Sequence, residues 1–97
     1  MSFRPSAKNP FMPEISRFFG IVIKMFYDDH NPPHFHAEYG GHLALVDIMR
    51  LSVFSGRLPA RVLGLVIEWA TIHQKDLLAD WDQARNQQEL FKIDPLE

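Results

Sequence analysis

The chain has 97 residues, of which 46% are hydrophobic, 12% aromatic and 23% charged, and its formal net charge at pH 7 is −2. This length and apolar content are typical of one folded domain and argue against disorder. The absence of cysteine excludes disulfides, thiolate zinc sites and cysteine nucleophiles. No apolar run approaches the roughly 20 residues that a membrane helix requires, and the N-terminus lacks the apolar core of a secretory signal. We therefore expect a cytoplasmic protein without a membrane partner.

Charge is distributed unevenly along the chain, since residues 1–61 carry a formal charge of +2 and residues 62–97 carry −4. Neither half has the basic surface that general nucleic-acid binding requires, so nucleic acid is not a predicted partner. Arg50, Arg57 and Arg61 are a candidate anion-binding group. The alternative is that these three are ordinary solvated side chains.

The N-terminal part of the sequence predicts an arm followed by strands. Residues 1–13 contain three prolines and little periodicity, which is typical of a flexible N-terminal arm, and residues 14–97 then form a single domain. The stretch 18–27, FFGIVIKMFY, is rich in β-branched and aromatic residues and predicts a largely buried strand. Further strands are expected over 35–39, 42–48 and 51–54, with Gly40-Gly41 as a hairpin turn.

The C-terminal part predicts helix. Pro59 suits the first turn of a helix, and apolar residues then recur at helical spacing through Trp69 and Trp81. Either one long helix runs to about Arg85, or two helices meet near residues 74–76. The expected fold is therefore α+β: a roughly four-stranded, mostly antiparallel sheet packed against one long or two consecutive C-terminal helices.

The segment from His30 to Gly40, HNPPHFHAEYG, is the most informative in the chain. Because side chains alternate along a strand, His34, His36 and Glu38 should share one face and Phe35 the other. Two histidines and one carboxylate, from Glu38 or Asp29, form a pattern typical of catalytic zinc or iron sites. The sequence therefore predicts a candidate divalent-metal site, with zinc as one option.

Two other interpretations of this segment stay open. In a metal-free enzyme, His34 and His36, with His30 nearby, would act as general acid and base, and an arginine would stabilise developing charge. In the structural alternative, the histidines are half-exposed strand residues at a protein interface, and the prolines only fix an edge strand.

Several other polar or aromatic residues have simpler interpretations. Asp47 lies in an apolar strand, so it either orients one of the histidines or is turned to solvent by a bulge. His73 is interpreted as a packing histidine on the helix, and Trp69 and Trp81 as core or interface anchors rather than cofactor-stacking residues.

The sequence resembles a family of short bacterial proteins, the domain of unknown function 4160. The residues that carry the resemblance are the segments 12–15, 19–25 and 56–59, the proline-histidine segment, Glu68-Trp69, His73 and Trp81. The resemblance implies a small stand-alone protein that is often encoded beside another short protein, as in a toxin–antitoxin or mobile-element-associated pair. It also implies that His30, His34 and His36 belong to the family's signature, without assigning them a reaction.

Two features depart from the resemblance. Arg50-Leu51 stands where family members carry a Thr-Gly-type turn, so the hairpin there should be longer or shifted, and the residues before Met12 have no counterpart.

Two functions follow as expectations. The first is a partner-binding component of a toxin–antitoxin-like system, with a small neighbour-encoded protein or a second copy as the partner. The second is a small histidine-dependent hydrolase, metal-dependent or not, such as a ribonuclease-type toxin.

Overall fold

The computed structural model describes residues 13–97, which form an antiparallel sheet followed by two helices. The strands are β1 (Glu14–Phe18), β2 (Ile21–Lys24), β3 (His34–Tyr39), β4 (His42–Asp47) and β5 (Ser52–Gly56). The helices are α1 (Ala60–Ile72) and α2 (Gln74–Arg85). The sheet order follows the chain, from β1 to β5, and every neighbouring pair is antiparallel. The predicted α+β architecture is confirmed, with five strands in the sheet rather than four.

The additional strand comes from a hairpin within the first apolar stretch. The prediction of one strand over residues 18–27 is wrong, because the chain turns at Phe19 and Gly20, whose φ angles are +51° and +79°. Positive φ at two consecutive positions is the geometry of a tight hairpin turn that matches the twist of the flanking strands. Phenylalanine is unusual at the first position, so the apolar run conceals the turn.

One face of the sheet carries the core. Phe35 and Ala37 on β3 are fully buried, as the strand alternation predicts, and the Phe35 ring meets Trp69 of α1 edge-on at 5.7 Å. Val66 and Leu77 are also fully buried and join the same cluster from the helices. Burying a large apolar side chain contributes about 1.5–3 kcal/mol, so this face supplies much of the stability of the fold.

The helical segment divides into two helices, as in the second of the two predicted alternatives. The break lies at His73, whose N–H donates to the Trp69 carbonyl and whose own carbonyl accepts the N–H of Leu77. Gln74 donates its side-chain amide to the Ile48 carbonyl at 2.8 Å. The junction is therefore fixed to the end of β4.

The C-terminal tail covers the β1 edge of the sheet. The N–H of Ile93 donates to the Ile15 carbonyl at 2.7 Å, and the indole N–H of Trp69 donates to the Asp94 carbonyl at 2.8 Å. Leu90 and Ile93 are buried. The tail is therefore packed against the sheet and α1 as part of the folded domain.

The predicted arm, residues 1–13, lies outside the described residues except for Pro13. Pro13 is buried, and its carbonyl accepts the N–H of Met25 at 3.1 Å. Within residues 13–97, neither helix has the length and apolar character needed to cross a bilayer.

Candidate functional site

The loop between β2 and β3 and the first residues of β3 bring three chemically active side chains together. His34 and His36 share one face of β3, and the loop over residues 25–33 folds back so that Asp29 meets both rings. The Nε2 atoms of His34 and His36 lie 3.1 Å and 3.0 Å from the same oxygen, Oδ2 of Asp29. We call these three residues the His–Asp cluster.

The His34 ring has a fixed orientation. Its Nδ1 lies 2.7 Å from the carbonyl oxygen of Pro32, and a carbonyl can only accept a hydrogen bond. Nδ1 therefore carries a proton, and in the neutral ring Nε2 carries the lone pair. That lone pair is directed at Oδ2 of Asp29. Either a second proton on the ring or a cation between Nε2 and Oδ2 would make this contact favourable.

Three aromatic side chains hold the two imidazoles in place. Phe26 stacks on His36 with the ring centroids 4.2 Å apart and the planes within 2° of parallel. Phe54 of β5 meets His34 edge-on at 5.2 Å, and Trp81 of α2 lies 5.3 Å from the same ring. The imidazoles are thus fixed by packing on several sides, which is what a binding or catalytic constellation requires.

The cluster adjoins a surface cleft through Asp29. The side chains of His34 and His36 are 5% and 11% exposed, whereas that of Asp29 is 25% exposed. Asp29 lines a cleft of about 340 Å³ whose other lining residues are Tyr27, Asp28, His30, Asn31, Arg85 and Gln87. Solvent therefore reaches the cluster through its carboxylate.

Helix α2 anchors the loop that carries Asp29. Arg85, its last residue, donates to Oδ1 of Asn31 at 3.0 Å, and Gln87 donates to Oδ1 of Asp28 at 3.3 Å. Two bonds from one helix end thus bracket Asp29 along the chain. The position of the carboxylate depends on tertiary structure as well as on the loop itself.

Three of the predicted site residues form the His–Asp cluster, and the others lie outside it. Asp29, His34 and His36 come together, whereas Glu38 lies farther along β3 and pairs with Lys24 through an Nζ–Oε2 contact of 3.2 Å. His30 is exposed and lines the cleft beside Asp29. Of the two carboxylates that the sequence offers, Asp29 is the one that meets the imidazoles.

The three predicted anion-binding arginines are exposed. Arg50 precedes β5, whereas Arg57 follows it and Arg61 lies in the first turn of α1. A five-residue strand is about 17 Å long, so Arg50 lies at the opposite end of β5 from Arg57.

The other polar residues singled out from the sequence have structural partners. Oδ1 of Asp47 accepts the N–H groups of Met49 and Arg50, so this carboxylate stabilises the turn into β5 instead of orienting a histidine. Trp69 is fully buried and Trp81 nearly so. Trp81 nevertheless also contacts His34, so it contributes to both the core and the cluster.

One buried carboxylate was not singled out by sequence. Asp80 on α2 is 2% exposed; its Oδ1 accepts the N–H of Phe91, and its Oδ2 has no hydrogen-bond partner. Burial raises the pKa of Asp80 to about 6, against the lowering effect of the Phe91 hydrogen bond and with a smaller raising effect from Asp76. Its helical spacing from Leu77 and Ala84 could have signalled the burial, because these residues share one face of α2.

The aromatic residues around the cluster were also missed as site residues. Phe26 follows β2 and Phe54 lies on β5, so nothing in the local sequence connects them with the histidines. Their contribution depends on strand pairing across the sheet.

The fold and the cluster together define a class: a small α+β protein in which an antiparallel meander, backed by a helix pair, carries two histidines and an aspartate beside an open cleft. Residues 20–82, well over half of the chain, match the family described as domain of unknown function 4160, and the chain belongs to that family. No curated protein and no solved structure matches the chain.

Proposed function

We propose that the protein is the partner-binding component of a toxin–antitoxin-like two-protein system, and that β5 receives the partner. The observation that carries this proposal is the difference between the two edges of the sheet. The β1 edge is covered by the C-terminal tail through Ile93 and Ile15, whereas β5 pairs only with β4 among the described residues. An uncovered edge strand offers unpaired backbone groups to a strand of another protein.

The composition of β5 supports this role. The strand Ser52–Gly56 contains no charged residue and no proline, the usual features that protect an edge from pairing. Phe54 on this strand is 47% exposed, and Leu43 and Met49, on the neighbouring β4 and the turn, are 47% and 60% exposed. An incoming strand would remove apolar surface from water as well as pair its backbone.

Charge at the ends of β5 favours a different protein over a second copy. Arg50 and Arg57 flank the strand, and among residues 13–97 neither side chain has an ion-pair partner. Antiparallel pairing of β5 with itself brings Arg57 of one copy beside residues 50 and 51 of the other, which places like charges together. The preferred partner is therefore a neighbour-encoded protein whose strand is apolar in the middle and acidic at its ends.

Co-purification of the two co-expressed proteins tests the proposal. We expect a stable complex that Phe54→Lys weakens at least tenfold, because the substitution places a charge in the centre of the paired strands. Ile72→Lys is the matched control, since Ile72 is 63% exposed and belongs to α1 and not to the sheet. A complex that tolerates Phe54→Lys as well as it tolerates Ile72→Lys would contradict the assignment of β5.

The His–Asp cluster favours a second candidate function, a small histidine-dependent hydrolase such as a ribonuclease-type toxin. The supporting observation is that two imidazoles lie within hydrogen-bonding distance of a carboxylate, Asp29, that lines an open cleft. Such groups can activate water and transfer protons during hydrolysis.

Growth of a host that expresses the protein alone, together with RNA cleavage by the purified protein, tests this candidate. We expect growth arrest and cleavage with the parent, and a loss of at least about 100-fold in cleavage with His36→Gln. His42→Gln is the control, because His42 is exposed on β4 outside the cluster. Equal behaviour of all three proteins would remove the hydrolase from consideration and leave the partner-binding proposal unaffected.

A further inference from the structure

We infer that the His–Asp cluster is a binding site for one divalent transition-metal ion, with zinc or iron(II) as the chemical class. The ligands are Nε2 of His34, Nε2 of His36 and a carboxylate oxygen of Asp29. The site shares the contact between Phe54 and His34 with the proposed partner surface at β5, but none of its three ligands lies on β5. Only the hydrolytic use of the ion rests on the second candidate function.

The spacing of the three atoms suits a metal ion. They lie within 4.8 Å of one another, and both nitrogens are 3.0–3.1 Å from Oδ2. Nitrogen and oxygen ligands bind zinc at about 2.0–2.2 Å, so two tetrahedral ligands lie about 3.3–3.6 Å apart. Binding would lengthen the two nitrogen–oxygen contacts by a few tenths of an ångström, and rotation of the side chains would adjust the separation of the two nitrogens.

The hydrogen bond between His34 and the Pro32 carbonyl gives a second reason. Because Nδ1 of His34 donates to the Pro32 carbonyl, the neutral ring directs a lone pair at a carboxylate oxygen. A metal ion between these two atoms would accept a lone pair from each of them. A histidine whose second nitrogen donates to a backbone carbonyl is also the usual outer arrangement of a metal-binding imidazole.

The ligand types select the metal. Two imidazoles and one carboxylate suit zinc and iron(II), whereas calcium and magnesium prefer sites made of oxygen. Three protein ligands leave at least one coordination position for water or substrate, and Asp29 opens onto the 340 Å³ cleft from which that ligand would come. A bound zinc ion lowers the pKa of its water to about 7, which generates a nucleophile for hydrolysis.

The packing around the cluster supports binding by a preformed site. Phe26 and Trp81 hold the two rings, and Arg85 holds the loop through Asn31. Little side-chain entropy then remains to be lost when the ion binds.

Zinc titration of the purified protein, prepared without a histidine tag and in competition with a chromophoric chelator, tests the inference. We expect one zinc per chain and a loss of affinity of at least about 100-fold in Asp29→Asn, which preserves the size of the side chain. His36→Gln should cause a loss of the same order. His42→Gln should bind zinc like the parent protein.

Cobalt(II) substitution and thermal unfolding provide readouts that do not involve activity. Cobalt bound in the cluster should give visible absorption bands that Asp29→Asn abolishes, and zinc should raise the melting temperature of the parent but not of Asp29→Asn. Circular dichroism of each variant establishes that loss of binding is not loss of the fold. Either the absence of zinc binding in the folded parent, or equal binding by Asp29→Asn and His42→Gln, would overturn the site.

These outcomes separate the metal site from both proposed functions. Zinc binding is measured on the isolated protein, so a negative result leaves the β5 interface and a metal-free acid–base mechanism as they were. Zinc binding without RNA cleavage would support the metal site and remove the hydrolytic use of the ion.

Discussion

The carboxylates of Asp29 and Asp80 lie in different surroundings, since the side chain of Asp29 is 25% exposed whereas Asp80 is 2% exposed. Asp29 meets two imidazoles and reaches solvent through the cleft. Asp80 is buried and accepts one backbone N–H, and its Oδ2 is unpaired. An ionised carboxylate is costly in such a place, so the second residue is a source of instability where the first is a candidate ligand.

The raised pKa of Asp80 makes the stability of the protein depend on pH. Since burial raises the pKa from 3.8 to about 6, the folded state binds the proton more tightly than the unfolded state does. The resulting stabilisation is fully present below about pH 4 and is lost as the pH rises through about 6. Asp80→Asn stays neutral and keeps an oxygen for the Phe91 N–H, so we expect it to remove this loss, on the order of 3 kcal/mol.

Urea unfolding at pH 4.5 and pH 7.5 measures the effect. The parent should lose more free energy of unfolding between these two pH values than Asp80→Asn does. Asp82→Asn, on the exposed side of the same helix, serves as the control and should retain the parent's pH dependence. The prediction fails if Asp80→Asn and Asp82→Asn have the same pH dependence.

At the scale of secondary-structure elements, the sequence was sufficient wherever periodicity was strong. The alternation along β3 correctly placed Phe35 in the core, with His34 and His36 together on the other face. The helical spacing around Trp69 and Trp81 correctly indicated packed faces. In both cases the local pattern and the tertiary structure require the same side-chain directions.

The sequence was insufficient where a feature depends on contacts between elements. The β1–β2 hairpin turns at Phe19-Gly20, and the apolar residues on both sides make this turn indistinguishable from the interior of a strand. The choice of Asp29 over Glu38 depends on how the loop before β3 folds, and α2 helps to fix that loop through Arg85. A local sequence pattern cannot predict the hydrogen bond between Arg85 and Asn31, because these residues are 54 positions apart.

At the scale of the whole molecule, the chain closes one edge of its sheet with its own C-terminus and leaves the other to β5. The closing segment is held by Leu90, which is fully buried, by the Ile93–Ile15 backbone bond and by the Trp69–Asp94 bond. Because α2 leads directly into this tail, the tail, α2 and the loop that carries Asp29 form one connected layer.

Leu90→Ala tests how far the tail stabilises the molecule. Removing a fully buried leucine side chain should cost about 2–5 kcal/mol, and the tail amides should exchange hydrogen faster than those of β3. Leu96→Ala, at a half-buried position of the same tail, should cost less. If β1 depends on the tail for closure, the amides of β1 should also lose protection in Leu90→Ala. Unchanged protection of β1 would instead show that β2 and the core alone hold the first strand. The tail would then cover the β1 edge without stabilising that strand measurably.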